Sequence, residues 1–451
     1  MLEKDKEYIV DIVDIGDKGV GIGKYNGFTV FVEGGLIDEK VKVKINKSKK
    51  NYAVGDLIEI IEKSKFRIER RCDLKECGGC QVQELDYKKQ LELKTNEVKQ
   101  VINRIGKLEN VVVYDTIGMD NPYRYRNKAQ FPIKKDENRV NIGFYKKKSH
   151  EVIDTQKCII QDDVNDKIIE ILRKYIQKNN ISVYDEISHT GVLRHLVTKV
   201  GFKTREVMIV LVINGQNLYN IDSLVEDFKS EIEGFKTLVL NINTKKTNVI
   251  LGLENKVIYG NGKINDYIDD LIFEISPLSF FQVNPVQTEV LYNKALEYAN
   301  LSKNDTVFDI YCGIGTISLF LARKASKVYG IEIIEDAMKD AKINASINKL
   351  ENVDFYVGKA EEVVPNMYKE GKKANVVVVD PPRKGCDEKV LDTIVSMKPE
   401  KVVYVSCNPS TLARDLAYLD ERGYICEEIQ PVDMFPHTMH VECVAKIVKK
   451  L

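Results

Sequence analysis

Apolar and polar positions change rhythm twice along the chain. Residues 1–65 alternate them, in YIVDIVDI, FTVFVE, KVKVKI and DLIEII, between glycine-rich turns such as GDKGVGIGKYNG. Short half-buried strands at this spacing predict a small antiparallel barrel of the OB type. An amphipathic helix follows near 86–105, with Leu91, Val98, Val101, Ile102 and Ile105 on one side and Gly106 as its stop. Residues 121–260 are mixed: LRHLVTKVG, VMIVLVI and LVLNINT read as strands, SLVEDFKSEI as a helix. From about 261, short apolar strands alternate with helices: TVFDIY, VYGIEI, VDFYVG, VVVVDPP, VVYVSC, ICEEIQPVDMF and VECVAKI. That rhythm predicts an α/β fold with a doubly wound, largely parallel, Rossmann-like sheet. The chain thus divides into a barrel at 1–65, a central α/β domain at 66–260 and the sheet domain at 261–451.

Composition changes this picture little. The chain is 43% hydrophobic and 30% charged, as globular proteins are. It has no charge-free run long enough to span a bilayer, so a cytoplasmic monomer without a membrane partner is expected. Lys+Arg and Asp+Glu both number 68, so any nucleic-acid surface must be local. One candidate is the strand face of Lys40, Lys42 and Lys44, continued by Lys47, Lys49 and Lys50; a solvated, lysine-protected edge is the alternative. The other is 121–160, where ten Lys/Arg face four acids, Asp136, Glu137, Glu151 and Asp154. There Tyr123 and Tyr125 interleave with Arg124, Arg126 and Lys128 as candidate RNA contacts.

The chemistry is concentrated in the last domain. Its first strand runs into Asp309-Ile310-Tyr311-Cys312-Gly313-Ile314-Gly315-Thr316. Glycines there, Gly313 among them, let the backbone approach a ligand closely, and Glu332, nineteen residues on, can hold ribose hydroxyls. A dinucleotide fingerprint needs a third glycine where this chain has Ser318, which disfavours NAD. The pattern resembles class I methyltransferases that use S-adenosyl-L-methionine. Asp380 ends a later strand before two prolines, which hold it extended at the sheet edge. Arg383 follows, where amino-methylating relatives carry an aromatic residue.

Cys407 lies at the C-terminal edge of VVYVSC, with Ser410-Thr411 available to cap the next helix. Oxygen and nitrogen acceptors need no protein thiol, but carbon 5 of a pyrimidine does. A thiolate adding to C6 makes C5 nucleophilic, and a base then removes the C5 proton. Cys407 is the candidate nucleophile and Glu442, near the start of a late strand, the candidate base; His437 and His440 are alternatives for proton handling.

Of nine cysteines, Cys72, Cys77 and Cys80 have the spacing C-x4-C-x2-C, and Cys158 follows far along. Four thiolates suit zinc or a 4Fe–4S cluster, and spacing does not choose between them.

Together DIYCGIGT, DPPRKG, SCNPSTLARDL, HVECVAKI and FFQVNP resemble the RNA uracil-5-methyltransferase family, over nearly the whole chain. The resemblance implies a TRAM barrel in front and an iron–sulfur element at the four cysteines, favouring 4Fe–4S over zinc. It implies that Gln282, Tyr311, Glu332 and Asp380 contact or flank the cofactor, with Cys407 as nucleophile and Glu442 as base. Asn284-Pro285 reads as a helix cap and first residue, which leaves Gln282 in a loop over the cleft. The barrel and cysteines resemble the 23S ribosomal RNA branch more than the transfer RNA branch. The target uridine must be unpaired or flipped. A non-catalytic RNA-binding module would need neither Cys407 nor Glu442. A DNA cytosine-5 methyltransferase would place a Pro-Cys nucleophile where Asp380-Pro381-Pro382 stands.

Overall fold

The computed structural model describes residues 2–16, 18–136 and 139–450. Asp17 of the first glycine-rich turn and Glu137 of the four acids lie outside the described residues. Strands β1 (Glu7–Ile15), β2 (Val20–Tyr25), β3 (Phe28–Glu33), β4 (Lys40–Ser48) and β5 (Tyr52–Glu62) close into a barrel ordered β1-β2-β3-β5-β4. The expected antiparallel barrel is in fact mixed, because β3 and β5 run parallel. Five strands cannot alternate in direction all the way round a closed ring. The period of two on β4 holds: Val41, Val43 and Ile45 are buried while Lys40, Lys42 and Lys44 point outward. Glu62 and Glu7 pair with Lys40 and Lys42 at 2.6 and 2.7 Å, so part of the basic face is already offset.

Helix α1 (Tyr87–Val101) continues into a π-helical turn at Ile102–Gly106 and then strand β6 (Val112–Val113). Only part of the expected apolar stripe is buried. Val98 and Ile102 enter the core, whereas Ile105 is 48% exposed, because the wider π turn rotates it off the helix face. The buried face of α1 also carries Gln90, Lys94 and Thr95.

Seven strands form the central sheet: β7 (Lys128–Asp136), β8 (Arg139–Tyr145), β9 (Val152–Asp154), β10 (Leu193–Val200), β11 (Val207–Ile213), β12 (Phe235–Ile242) and β13 (Glu254–Tyr259). Their order is β13-β12-β11-β10-β7-β8-β9. Both faces of β11 are covered, which explains its unbroken apolar run. Ile209, Leu211 and Ile213 pack on helices α2 (Val164–Lys178) and α3 (Ile221–Glu231), and Met208, Val210 and Val212 join the core of the C-terminal part.

A hairpin, β14 (Ile264–Ile268) and β15 (Leu271–Ile275), leads to helix α4 (Pro285–Ala299). Asn284 caps α4 and Pro285 is its first residue, as the sequence predicts. Strands β16 (Thr306–Ile310), β17 (Lys327–Glu332), β18 (Val353–Val357), β19 (Val376–Val379), β20 (Lys401–Ser406), β21 (Tyr424–Val432) and β22 (Glu442–Lys449) alternate with helices α5 (Thr316–Ala322), α6 (Glu335–Ile347), α7 (Ala360–Lys369), α8 (Glu388–Met397) and α9 (Pro409–Asp420). The sheet order is β18-β17-β16-β19-β20-β22-β21-β6. Strands β16 to β20 are parallel, while β22 runs antiparallel to both neighbours. The stretch from α1 to β6, though it precedes the central sheet in sequence, packs here. The order in which successive strands are added reverses between the parallel neighbours β16 and β19, and open α/β sheets bind ligands at that crevice.

Candidate active site

The loop after β16 is built for a close-approaching ligand. Tyr311 has φ +72°, Gly313 +57° and Gly315 +80°. A Cβ on Gly315 would meet Phe355 at 3.1 Å, whereas none of the described residues has an atom within 4 Å of one on Gly313. Glu332, at the end of β17, accepts hydrogen bonds from the N–H groups of Gly313, Ile333 and Ile334 at 3.2, 2.9 and 2.9 Å. It thereby fixes the turn and stands at the sheet edge.

Acids collect in the same crevice. Asp309 is fully buried; its Oδ2 accepts from the Ser318 hydroxyl at 2.5 Å, and its Oδ1 has no hydrogen-bond partner among the described residues. Burial pushes its carboxyl up to about 7. Asp380 is raised well above the ordinary range, first by removal from water and then by Glu442 and Asp309. Its N–H is tied to the Ile310 carbonyl at 3.3 Å, which seats it beside the glycine loop. Gln282 is buried, with its carbonyl accepting from Asn127 at 3.0 Å. An orphaned carboxylate oxygen, clustered acids and open space over Gly313 fit a cationic adenosyl ligand such as S-adenosyl-L-methionine.

Cys407 and Glu442 come together through strand register. Ser406 on β20 pairs with Cys443 on β22, so Cys407 leaves the end of one strand beside Glu442 at the start of the other. Cys407 is half-buried and Glu442 only 4% exposed. Burial pushes Glu442 up to about 7, and Arg383 works against that shift. Burial, Glu442 and Asp380 push the Cys407 thiol up to about 11, again opposed by Arg383. Arg383 is thus the cation facing both groups.

The Arg383 loop is strapped to α9, which begins just after Cys407. Asn408, not the expected Ser410-Thr411, caps α9, because Pro409 occupies its first turn and Asn408 accepts from the Ser410 N–H at 3.0 Å. The Asn408 amide and Thr411 hydroxyl both donate to the Arg383 carbonyl, at 3.1 and 3.3 Å. Asp415, 1% exposed, accepts from the Tyr404 hydroxyl at 2.6 Å, the Cys386 N–H at 2.9 Å and Arg414 at 2.8 Å.

Glu442 is delivered by the loop 433–441, gripped from several sides. Lys94 and Asp433, both buried, pair at 2.5 Å, and Tyr87 donates to Asp433 at 2.8 Å. Gln90 accepts from the His437 N–H at 3.0 Å. His437 is 1% exposed, pushed down to about 4 by burial, with both ring nitrogens engaged by Gln90 and the Pro122 carbonyl. Both nitrogens of His437, one of the two alternatives for proton handling, are thus occupied in holding this loop. His440 is exposed. Tyr87, Gln90 and Lys94 escaped the sequence reading because polar residues on an amphipathic helix look solvated; only their spacing of three and four marked a shared face.

Cys72, Cys77, Cys80 and Cys158 line one cavity of about 350 Å³ with Arg70, Arg126, Lys128, Gln83 and Gln161. The thiols of Cys80 and Cys158 are raised, first by burial and also by other cysteines of the four, Cys80 to about 12. The side-chain amide of Gln83, the Nε of Arg126 and Oε1 of Gln161 are buried there with no hydrogen-bond partner among the described residues. Among the described residues no group of three or more His, Cys, Asp or Glu is arranged to hold a single metal ion. The candidate RNA contacts change accordingly. Tyr125 is core, Arg124 donates to the Cys158 and Gln161 carbonyls, and Arg126 and Lys128 turn into this cavity. Three cations at a spacing of two read as a surface; the cavity that Arg126 and Lys128 line is completed by residues far away in sequence.

The chain's likenesses agree with this geometry. The family described as tRNA (Uracil-5-)-methyltransferase matches residues 86–450, and the TRAM domain matches residues 3–58. An uncharacterized RNA methyltransferase of Clostridium tetani is 52% identical over 444 residues, covering 98% of this chain and 96% of its own. One of Caldanaerobacter subterraneus subsp. tengcongensis is 51% identical, covering 98% of both. Among solved structures, the Pyrococcus abyssi tRNA (uracil-54, C5)-methyltransferase in complex with S-adenosyl-L-homocysteine superposes with a TM-score of 0.79. It is 30% identical and covers 97% of this chain and 99% of its own.

Proposed function

We propose that this chain, which belongs to the tRNA (uracil-5-)-methyltransferase family and carries a TRAM domain, methylates C5 of uridine in 23S ribosomal RNA. The observation that supports a covalent route is the junction of Cys407 and Glu442 at adjacent strand ends beside the acid-lined crevice.

In this reading Glu332, Asp380, Gln282, Tyr311 and Gly313 hold S-adenosyl-L-methionine, whose sulfonium supplies an electrophilic methyl group. The Cys407 thiolate adds to uracil C6, and the C5=C6 electrons pass to an enolate. C5 would take the methyl group, the electron pair of the broken S–CH3 bond remaining on sulfur in S-adenosyl-L-homocysteine. Glu442 then removes the C5 proton, C5=C6 re-forms, and the sulfur leaves as thiolate. A carboxylate titrating near 7 is matched to that proton transfer at neutral pH. Arg383 lowers the thiol and stands where it can meet charge developing on the uracil oxygens.

Cys72, Cys77, Cys80 and Cys158 hold a 4Fe–4S cluster in this reading. Support comes from the four thiols sharing one cavity with Arg70, Arg126 and Lys128, cations suited to an anionic thiolate cluster. Iron and sulfide analysis of anaerobically purified protein decides it; stoichiometric zinc without sulfide rejects the cluster.

The ribosomal choice rests on the barrel joined to four cysteines. A second reading, a transfer RNA uridine, is favoured by the likeness to the Pyrococcus abyssi enzyme. Nucleoside mapping of both RNAs from a deletion strain separates them. Loss of 5-methyluridine from 23S rRNA is expected; loss confined to tRNA rejects the ribosomal choice.

A further inference from the structure

A second cavity, of about 730 Å³, opens between the segment following the barrel and the start of α1. Its volume falls in the range of small-ligand sites, about 300–1,000 Å³. Its wall ends a ladder of planar groups. His437 stacks on Tyr123 at 4.8 Å with planes 29° apart, and the Arg71 guanidinium lies over the Tyr123 ring at 4.5 Å. His437 is neutral and held on both nitrogens, so the ladder has a rigid base. Arg71 itself is exposed, which leaves a guanidinium plane at the cavity. Nucleobases stack on such planes and on aromatic rings wherever RNA is single-stranded.

The rest of the lining says what kind of base would fit. Glu69 and Asp120 are exposed carboxylates at the cavity, and no side-chain hydrogen bond or ion pair engages either among the described residues. Carboxylates accept hydrogen bonds from exocyclic amines, as from cytosine N4, and repel the carbonyl oxygen that uracil offers at the same place. Arg71 supplies the cation for the backbone. The cavity also touches the loop that carries the base: Tyr87 donates to Asp433, and Tyr123 stacks on His437.

We propose that this cavity takes a second, unpaired nucleotide of the RNA, a base bearing an exocyclic amine, stacked on Arg71 at the end of the Tyr123–His437 ladder. The inference rests on the reading of the protein as an RNA methyltransferase and adds a recognition site outside the catalytic cleft. Filling the cavity would brace the loop 433–441, and so couple recognition of a neighbouring nucleotide to the placement of Glu442.

The test uses full-length protein with Cys407→Ala and fluorescein-labelled hexacytidylate, followed by anisotropy. Adding Arg71→Lys keeps the charge and removes the plane; affinity is expected to fall about tenfold, the loss typical of one base stack, while S-adenosylhomocysteine affinity stays the same. Adding Glu69→Gln and Asp120→Asn is expected to erase any preference for hexacytidylate over hexauridylate. Unchanged hexacytidylate binding in Arg71→Lys overturns the proposal. If wild type is still trapped by 5-fluorouridine RNA in that case, the catalytic reading stands without the cavity; if wild type binds no RNA, both fall.

Discussion

The cleft at the sheet edge and the cysteine cavity are charged in opposite senses. In the cleft Asp309, Asp380 and Glu442 are each pushed toward the neutral form, first by burial and, for Asp380, also by the other two carboxyls. In the cavity Arg70, Arg126 and Lys128 gather around four thiols, and Lys128 is lowered by burial and by Arg126. An uncompensated buried charge is costly, so each arrangement implies a partner of the opposite sign. The cleft suits a cation that donates a methyl group, the cavity an anionic cluster.

Replacing the nucleophile breaks the comparison most severely. Cys407→Ser should cut methyl transfer by more than about a thousandfold while leaving binding of S-adenosylhomocysteine intact, as calorimetry would show. Glu442→Gln comes next, with turnover down about 10²- to 10⁴-fold and a covalent, already methylated RNA adduct accumulating on denaturing gels. The same change should stabilise the free protein. Glu442 titrates at about 7 folded against 4.5 ordinarily, so the folded state keeps a proton that the unfolded chain releases. Stability contributed by that proton is lost as pH rises from 4.5 through about 7. The gain in Tm for Glu442→Gln should therefore be larger at pH ~8 than at pH ~5, by on the order of 2 kcal/mol in stability. Equal gains at both would place Glu442 in water.

Cys158→Ala tests the other site. It should remove visible cluster absorption and lower Tm. It should also reduce turnover about tenfold, because the cysteine segment holds the Glu442 loop. The Val82 N–H donates to the His437 carbonyl at 3.1 Å and Gln81 accepts from the Met439 N–H at 3.2 Å. Turnover unchanged after cluster loss would separate the two regions. The smallest effect is expected from Asp415→Asn, which weakens three hydrogen bonds around the Arg383 loop. About 1–3 kcal/mol of stability is at stake, and kcat should fall with little change in KM, together with a higher pH dependence of covalent trapping.

The two regions were not equally legible in the sequence. The cleft was, because β–turn–α connections place Asp309, Glu332, Asp380 and Cys407 at strand ends by local pattern alone. Glu442 required the antiparallel insertion of β22 beside β20, which periodicity does not reveal. The cysteines could be counted, but their cavity could not be foreseen: Arg126 and Lys128 looked like surface cations until the bridge of Arg126 to Gln161 and the start of β7 carried them inward. Lys94 was least readable. A lysine mid-helix looks solvated, and its partner Asp433 lies 339 residues away.

The covalent role of Cys407 is tested most directly by 5-fluorouridine RNA incubated with enzyme and S-adenosyl-L-methionine, followed by intact-protein and peptide mass spectrometry. Fluorine at C5 leaves Glu442 no proton to remove, so the account predicts a stable one-to-one adduct mapped to Cys407 and absent in Cys407→Ala. Methylation of uridine RNA by Cys407→Ala, or an adduct on another residue, would contradict it.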